Sequence, residues 1–179
     1  FGCPTLKEEA SEIGAVDEDV QTLIDRMFAT MYAAEGIGLA APQVGVSQRL
    51  LVLDVRPSDP SRTAMALINP KIVEATGEIV GEEGCLSMPG VVGDVKRASD
   101  IGVEAIDREG TPVTIVASGI EARALQHEID HLDGVLVIER FSTIRRNLLR
   151  SQLRKIRKEG SRQAPVPVQV EAALTESSS

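Results

Sequence analysis

At 179 residues and 19.1 kDa the chain is long enough to bury one self-sufficient core, and its two cysteines, Cys3 and Cys85, are too few for a disulfide framework. Each is expected as a free thiol or a metal ligand. Hydrophobic residues make up 42%, yet no apolar run nears a membrane span and no basic-then-apolar leader stands at the start, so a cytoplasmic globular protein with no membrane partner is expected, Phe1 marking a trimmed end. Aromatics at 2%, with no tryptophan, argue against a base-stacking nucleic-acid surface, and no specific DNA binding is expected. The net charge of −8 conceals an asymmetry: residues 145–158 hold seven of the nineteen basic residues and no acidic one.

In chain order, DEDVQTLIDRMFATMYAAEG at 17–36 places Val20, Leu23, Ile24, Met27, Phe28 and Met31 at helical steps, with Asp17 as N-cap and Gly36 as terminator. GIGLAAPQVG, 36–45, is too rich in Gly and Pro for helix or strand and too apolar for an ordinary solvated loop. RLLVLDV (49–55) and ALINPKIV (66–73) read as strands around the turn-rich RPSDPSR, and 103–117 reads as a hairpin about Asp107 to Gly110. A capping-box pattern, Ser118 with Glu121, starts a second helix with Leu125, Ile129 and Leu132 as its buried stripe and Gly134 as its stop. A third helix, 142–158, sets Leu149, Leu153 and Ile156 on one face and arginines elsewhere. Strands first and a capped helix after the hairpin favour a segregated α+β fold. Mixed or antiparallel strands should surround the 118–133 helix, with a C-terminal helix completing a single unit at 1–158 and 159–179 forming a disordered tail.

QHEIDHLDG, 126–134, contains His127 and His131, the only two histidines of the chain. Random placement would put two histidines four apart with Glu after the first about 0.1% of the time, so chance is a poor explanation. Positions four apart share a helix face, and both rings can turn a nitrogen toward one cation while Glu128 projects nearby. Two histidines leave a tetrahedral site incomplete, and no third exists. The third ligand is either Cys85, set in EEGCLSMPG between glycines that allow close backbone approach, or a downstream carboxylate such as Glu139.

GIGLAAPQVG at 36–45, EEGCLS at 82–87 and QHEIDHLDG at 126–134 resemble, in order and spacing, the three signature motifs of peptide deformylases, and FGCPTLKEEA is similar to that family's amino-terminal segment. The resemblance spans about residues 1–158. It implies removal of the formyl group from the initiator methionine of nascent chains, with Cys85 as third ligand beside His127 and His131. It also implies Fe(II) as the natural metal, with Zn(II), Ni(II) or Co(II) in purified protein. Glu128 is then the acid/base, Gln43 and the Leu86 amide stabilise the oxyanion, and Ile37, Gly38, Leu39 and Gly84 line the substrate groove. The basic 142–158 helix is implied to dock on the ribosome near the exit tunnel. Two departures stand out: no arginine lies near Val92, where some members carry one, and Cys3 stands where aspartate is frequent. A zinc metallopeptidase with a carboxylate third ligand is the competing reading, and a binding module with a closed structural metal site ranks below it.

Overall fold

The computed structural model describes residues 2–55 and 64–160, the last two by backbone alone. The turn expected at RPSDPSR therefore lies outside the described residues.

Helix α1 spans Glu18–Ala33, capped by the Asp17 carboxylate, which accepts from the Val20 N–H at 3.0 Å. Its end differs from the expected glycine stop. Glu35 takes the left-handed conformation at φ 54°, and Gly36 N–H closes the turn on Met31 O. The apolar loop that follows is also more regular than its composition suggested. Gly38–Ala40 forms strand β1, and Ala41–Val44 a 3-10 turn. Three buried residues beside a strand partner outweigh the glycine content, because pairing satisfies backbone groups that burial would otherwise leave unmet.

β2 (Leu50–Leu53), β3 (Met65–Thr76), β6 (Asp100–Ile106) and β7 (Pro112–Ser118) join β1 in an antiparallel sheet of order β1-β2-β3-β6-β7. A separate antiparallel pair, β4 (Ile79–Cys85) and β5 (Met88–Arg97), occupies a region the sequence reading left unassigned. β5 buries Val91, Gly93, Val95 and Arg97 at steps of two, a strand period masked by three glycines and a proline nearby.

Helix α2, Gly119–Leu132, follows β7 directly and buries Leu125, Ile129 and Leu132 against the five-stranded sheet. Ser118 is its N-cap residue, but its side chain makes no capping bond; the Gly119 N–H goes instead to Ser99 O at 3.0 Å. The expected capping box is thus replaced by a bond to the turn before β6. At the other end Gly134 has φ 70°, and a Cβ there would meet Lys7 O at 2.8 Å. Only glycine suits both demands.

On the opposite sheet face α1 packs Val20, Ile24, Met27 and Met31 against Leu39, Leu50, Val52, Ala66 and Ile68. Each large apolar side chain so buried stabilises the fold by about 1.5–3 kcal/mol. A third cluster ties β5 to the C-terminal segments through Met88, Val91, Leu136, Phe141 and Leu149. Those segments are α3 (Val137–Arg140), α4 (Thr143–Leu148) and α5 (Arg150–Gly160). The expected single helix at 142–158 is thus two, joined at the buried Leu149, whose N–H still bonds Arg145 O and whose carbonyl accepts from Leu153. α5 runs to Gly160, so the first two residues of the expected tail are helical, and the rest lie outside the described residues.

Candidate metal centre

α2 carries His127 and His131 one turn apart, their ring centroids 5.0 Å apart and their planes nearly perpendicular. Cys85 ends β4 and brings its Sγ to 3.1 Å from His131 Nε2. One donor atom from each of the three residues lies within 4.8 Å of the other two, so the trio could hold a single cation. Strand alternation then explains a residue the sequence reading passed over. Glu83 stands two positions before Cys85 on the same face, and His127 Nδ1 donates to its Oε2 at 3.0 Å. That bond selects the tautomer in which a neutral His127 would offer its Nε2 lone pair to a cation.

Glu83 is nearly buried, yet it remains an anion because cations surround it. Arg97 donates to both its oxygens, at 3.0 and 2.9 Å, and Arg123 donates to Oε1 at 2.8 Å. Burial alone would raise its pKa, but the bonds from His127 and Arg97 and their charges hold the carboxyl at about 2. Arg97 continues to Asp130 at 2.6 Å, and Asp130 accepts from Arg140 of α3 at 3.0 and 2.5 Å. A relay buried as far as Asp130 therefore links His127 to the exposed Arg140 of α3. Burial likewise opposes ionisation of Cys85, but hydrogen bonds to His127 and His131, with their charges, bring the thiol from 9.0 down to about 5. Burial lowers His127, but the hydrogen bonds with Cys85 and Glu83 raise it to about 10, so its Nε2 proton must leave when a cation binds. The protein thus prepares a thiolate, the form in which sulfur binds metal.

Glu128 is buried beside this trio, and desolvation pushes its carboxyl above the ordinary range although both histidines pull it down. Gly38 on β1 faces it so closely that a Cβ would lie 2.7 Å from Glu128 Oε1. Gln43 bonds Ala40 N–H through Oε1 at 2.7 Å, which turns its Nε2 toward Ser87 Oγ at 3.3 Å and Cys85 Sγ at 3.6 Å. Leu86, on the turn between β4 and β5, joins Ile37, Gly38, Gln43, Gly84 and Glu128 in lining a cavity of about 540 Å³. Two expectations need correction. Leu39 does not wall this cavity: alternation along β1 sends its side chain, 3% exposed, into the α1-facing core, while Gly38 and Ala40 face α2. Glu139, the alternative third ligand, accepts from the Leu136 N–H at 2.8 Å and from Lys7 instead, and is no member of the trio.

The donor set suits a divalent cation of intermediate softness. Glu128 Oε2 and His131 Nδ1 are buried without a hydrogen-bond partner among the described residues, as fits a centre that takes up a further polar group or ion.

Comparison with known proteins agrees with this geometry. A family model, Polypeptide deformylase, matches residues 1–147. The chain is 50% identical to the peptide deformylase of Thermodesulfovibrio yellowstonii over 149 residues, which is 83% of this chain and 90% of that one. The crystal structure of a peptide deformylase from Legionella pneumophila superposes with a TM-score of 0.80 at 43% identity, covering 89% of this chain and 94% of the other. That of Synechococcus elongatus, solved in complex with actinonin, gives a TM-score of 0.80 at 40% identity and covers 84% of each chain.

Proposed function

The chain belongs to the polypeptide deformylase family, an enzyme family that removes the formyl group from the amino terminus of nascent polypeptides, and on that premise we propose how its residues share the work. Cys85, His127 and His131 hold the metal, Fe(II) in the cell, and Zn(II), Ni(II) or Co(II) occupy the same donors in purified protein. The carrying observation is the convergence of a thiolate-forming cysteine, two histidines and a buried glutamate, of which Cys85, His127 and Glu128 line a cavity roomy enough for a peptide terminus. When bound, the cation supplies Lewis acidity toward the formyl oxygen and lowers the pKa of water toward about 7.

Glu128 takes a proton from the attacking water and returns it to the departing amine, so the C–N bond breaks to formate and a free amino terminus. Its raised pKa suits both directions of transfer. Gln43 Nε2 and the Leu86 N–H meet the developing oxyanion; the bond from Ala40 N–H to Gln43 Oε1 supports this by fixing which way the amide faces. Ile37, Gly38 and Gly84 border the path of the peptide. Formate release from formyl-Met-Ala-Ser by protein purified anaerobically with Fe(II) tests the assignment. Cys85→Ala should lose metal and turnover together, whereas a peptidase using a carboxylate ligand would keep both.

The reading extends to a partner and a place. No helix among the described residues is long and apolar enough to cross a membrane. Formylated nascent chains are products of translation, which supports a cytoplasmic enzyme docked near the ribosomal exit through α4 and α5. Arg146, Arg150 and Arg154 are exposed there and would be drawn to rRNA phosphates. Charge reversal of those three should abolish low-salt co-sedimentation with ribosomes and leave turnover of free peptides unchanged; unaltered co-sedimentation would refute the docking surface.

A further inference from the structure

One edge of β5 pairs with β4, and its other edge faces the C-terminal helices. There the carbonyls of Gly90 and Val92, two residues apart, accept from side chains instead of from a strand. Gln152 Nε2 donates to Gly90 O at 3.0 Å, and Arg145 donates to Val92 O through Nε at 2.9 Å and Nη2 at 2.6 Å. Arg145 on α4 and Gln152 on α5 stand on either side of the Leu149 junction and both reach the same strand edge. Leu149, between them, is buried in one cluster with Met88, Val91 and Phe141. The strand they grip supplies Pro89 and Gly90, both exposed, to the cavity wall. Gly90 sits at φ 71°, a conformation with several open alternatives for glycine unless its neighbours restrain it.

We propose that Arg145 and Gln152 are positioning residues for the peptide substrate: they clamp the free edge of β5 and fix the Pro89–Gly90 rim along which the chain beyond the formylated residue lies. The proposal rests on the deformylase reading of the cavity and deepens it. Cys85, His127, His131 and Glu128 are held by β4 and α2, whereas the clamp holds only the rim. A rim left loose must be ordered when substrate binds, and that cost falls on ground-state and transition-state binding alike. Loss of the clamp should thus appear in KM and leave kcat and the metal untouched. Arg145 reaches the Val92 backbone from the C-terminal helices, so the restraint on this edge comes from outside the β4–β5 pair.

The test is steady-state kinetics of the metal-loaded full chain on formyl-Met-Ala-Ser, with metal content measured alongside. Arg145→Ala combined with Gln152→Ala removes three hydrogen bonds and should raise KM about tenfold, the low end of what three such bonds contribute, with kcat within about twofold and metal content unchanged. Gln152→Glu, which cannot donate to a carbonyl, should raise KM, and Gln152→Lys, which can, should stay near wild type. The exposed neighbour Ser151→Ala should change neither constant. An unchanged KM in the double variant, equal KM values for Gln152→Glu and Gln152→Lys, or a joint fall of kcat and metal content would overturn the proposal. Turnover by the unaltered enzyme tests the deformylase reading separately.

Discussion

The two faces of the five-stranded sheet are covered by helices of similar length and different material. α1 covers its face with Val20, Ile24, Met27 and Met31, a stripe without one buried charge. α2 buries Leu125, Ile129 and Leu132 on its sheet-facing side and, around them, His127, Glu128, Asp130 and His131. The first interface is governed by volume, since close-packed apolar atoms contribute in proportion to the surface they remove from water. The second is governed by pairing, because a buried charge is tolerable only with its counter-charge and hydrogen bonds in place. α1 therefore supplies cohesion, while α2 accepts a desolvation cost to hold chemistry in a fixed geometry.

Substitutions can break that comparison on either side. The largest effect on turnover is expected from Glu128→Gln, which keeps the shape and removes the proton carrier: kcat should fall by about 10² to 10⁴ with metal retained, measured by formate release and metal analysis. Near-wild-type turnover would remove Glu128 from the mechanism. Gly38→Ala comes next. Its new Cβ would press on Glu128 Oε1, and a displacement near 1 Å can cost about 10² in rate, so activity should drop by roughly that factor while thermal stability changes little.

Glu83→Gln should act through the metal. It breaks the charge balance with Arg97 and Arg123 and weakens the restraint on His127, so affinity in a chelator competition should fall about 10- to 100-fold. Unchanged affinity would reduce Glu83 to a structural anion. Met27→Ala belongs to the other face and should mark the contrast. It should cost about 2–5 kcal/mol in urea unfolding and leave kcat of the folded enzyme as it was. If it altered kcat, the division of labour between the faces would fail.

Much of α2 was legible because its message is local. Histidines one turn apart, an adjacent glutamate and a stripe at Leu125, Ile129 and Leu132 all follow from a 3.6-residue period. α1 was legible for the same reason. The relay from His127 through Glu83 and Arg97 to Asp130 was not, because its partners lie 44, 14 and 33 residues apart and meet only after β4 and β5 pair and dock on α2. Even so, Glu83 could have been found by asking which residue shares a strand face with Cys85. β4 and β5 themselves were hidden by glycines that composition reads as loop. Leu39 was misassigned to the groove because its motif was read as one unit, whereas a strand sends alternate side chains to opposite faces. The capping pattern at Ser118 was present but unused, since the helix start found its partner in the distant Ser99 carbonyl.

The contact at Gly134 bears on how the molecule comes together in time. Residues 7–10 lie against the C-terminal end of α2, with Ala10 N–H bonded to Leu132 O at 2.8 Å and Lys7 O against the Gly134 backbone. Partners separated by more than a hundred residues raise contact order and slow the search for the native topology. During synthesis, at roughly 5–20 residues per second, the early segment must wait on the order of 6–24 s for its docking surface to be made. Until then Leu6 and Ala10, both buried in the finished fold, lack the surfaces that cover them, so this arm cannot close over the histidine helix before α2 has been made.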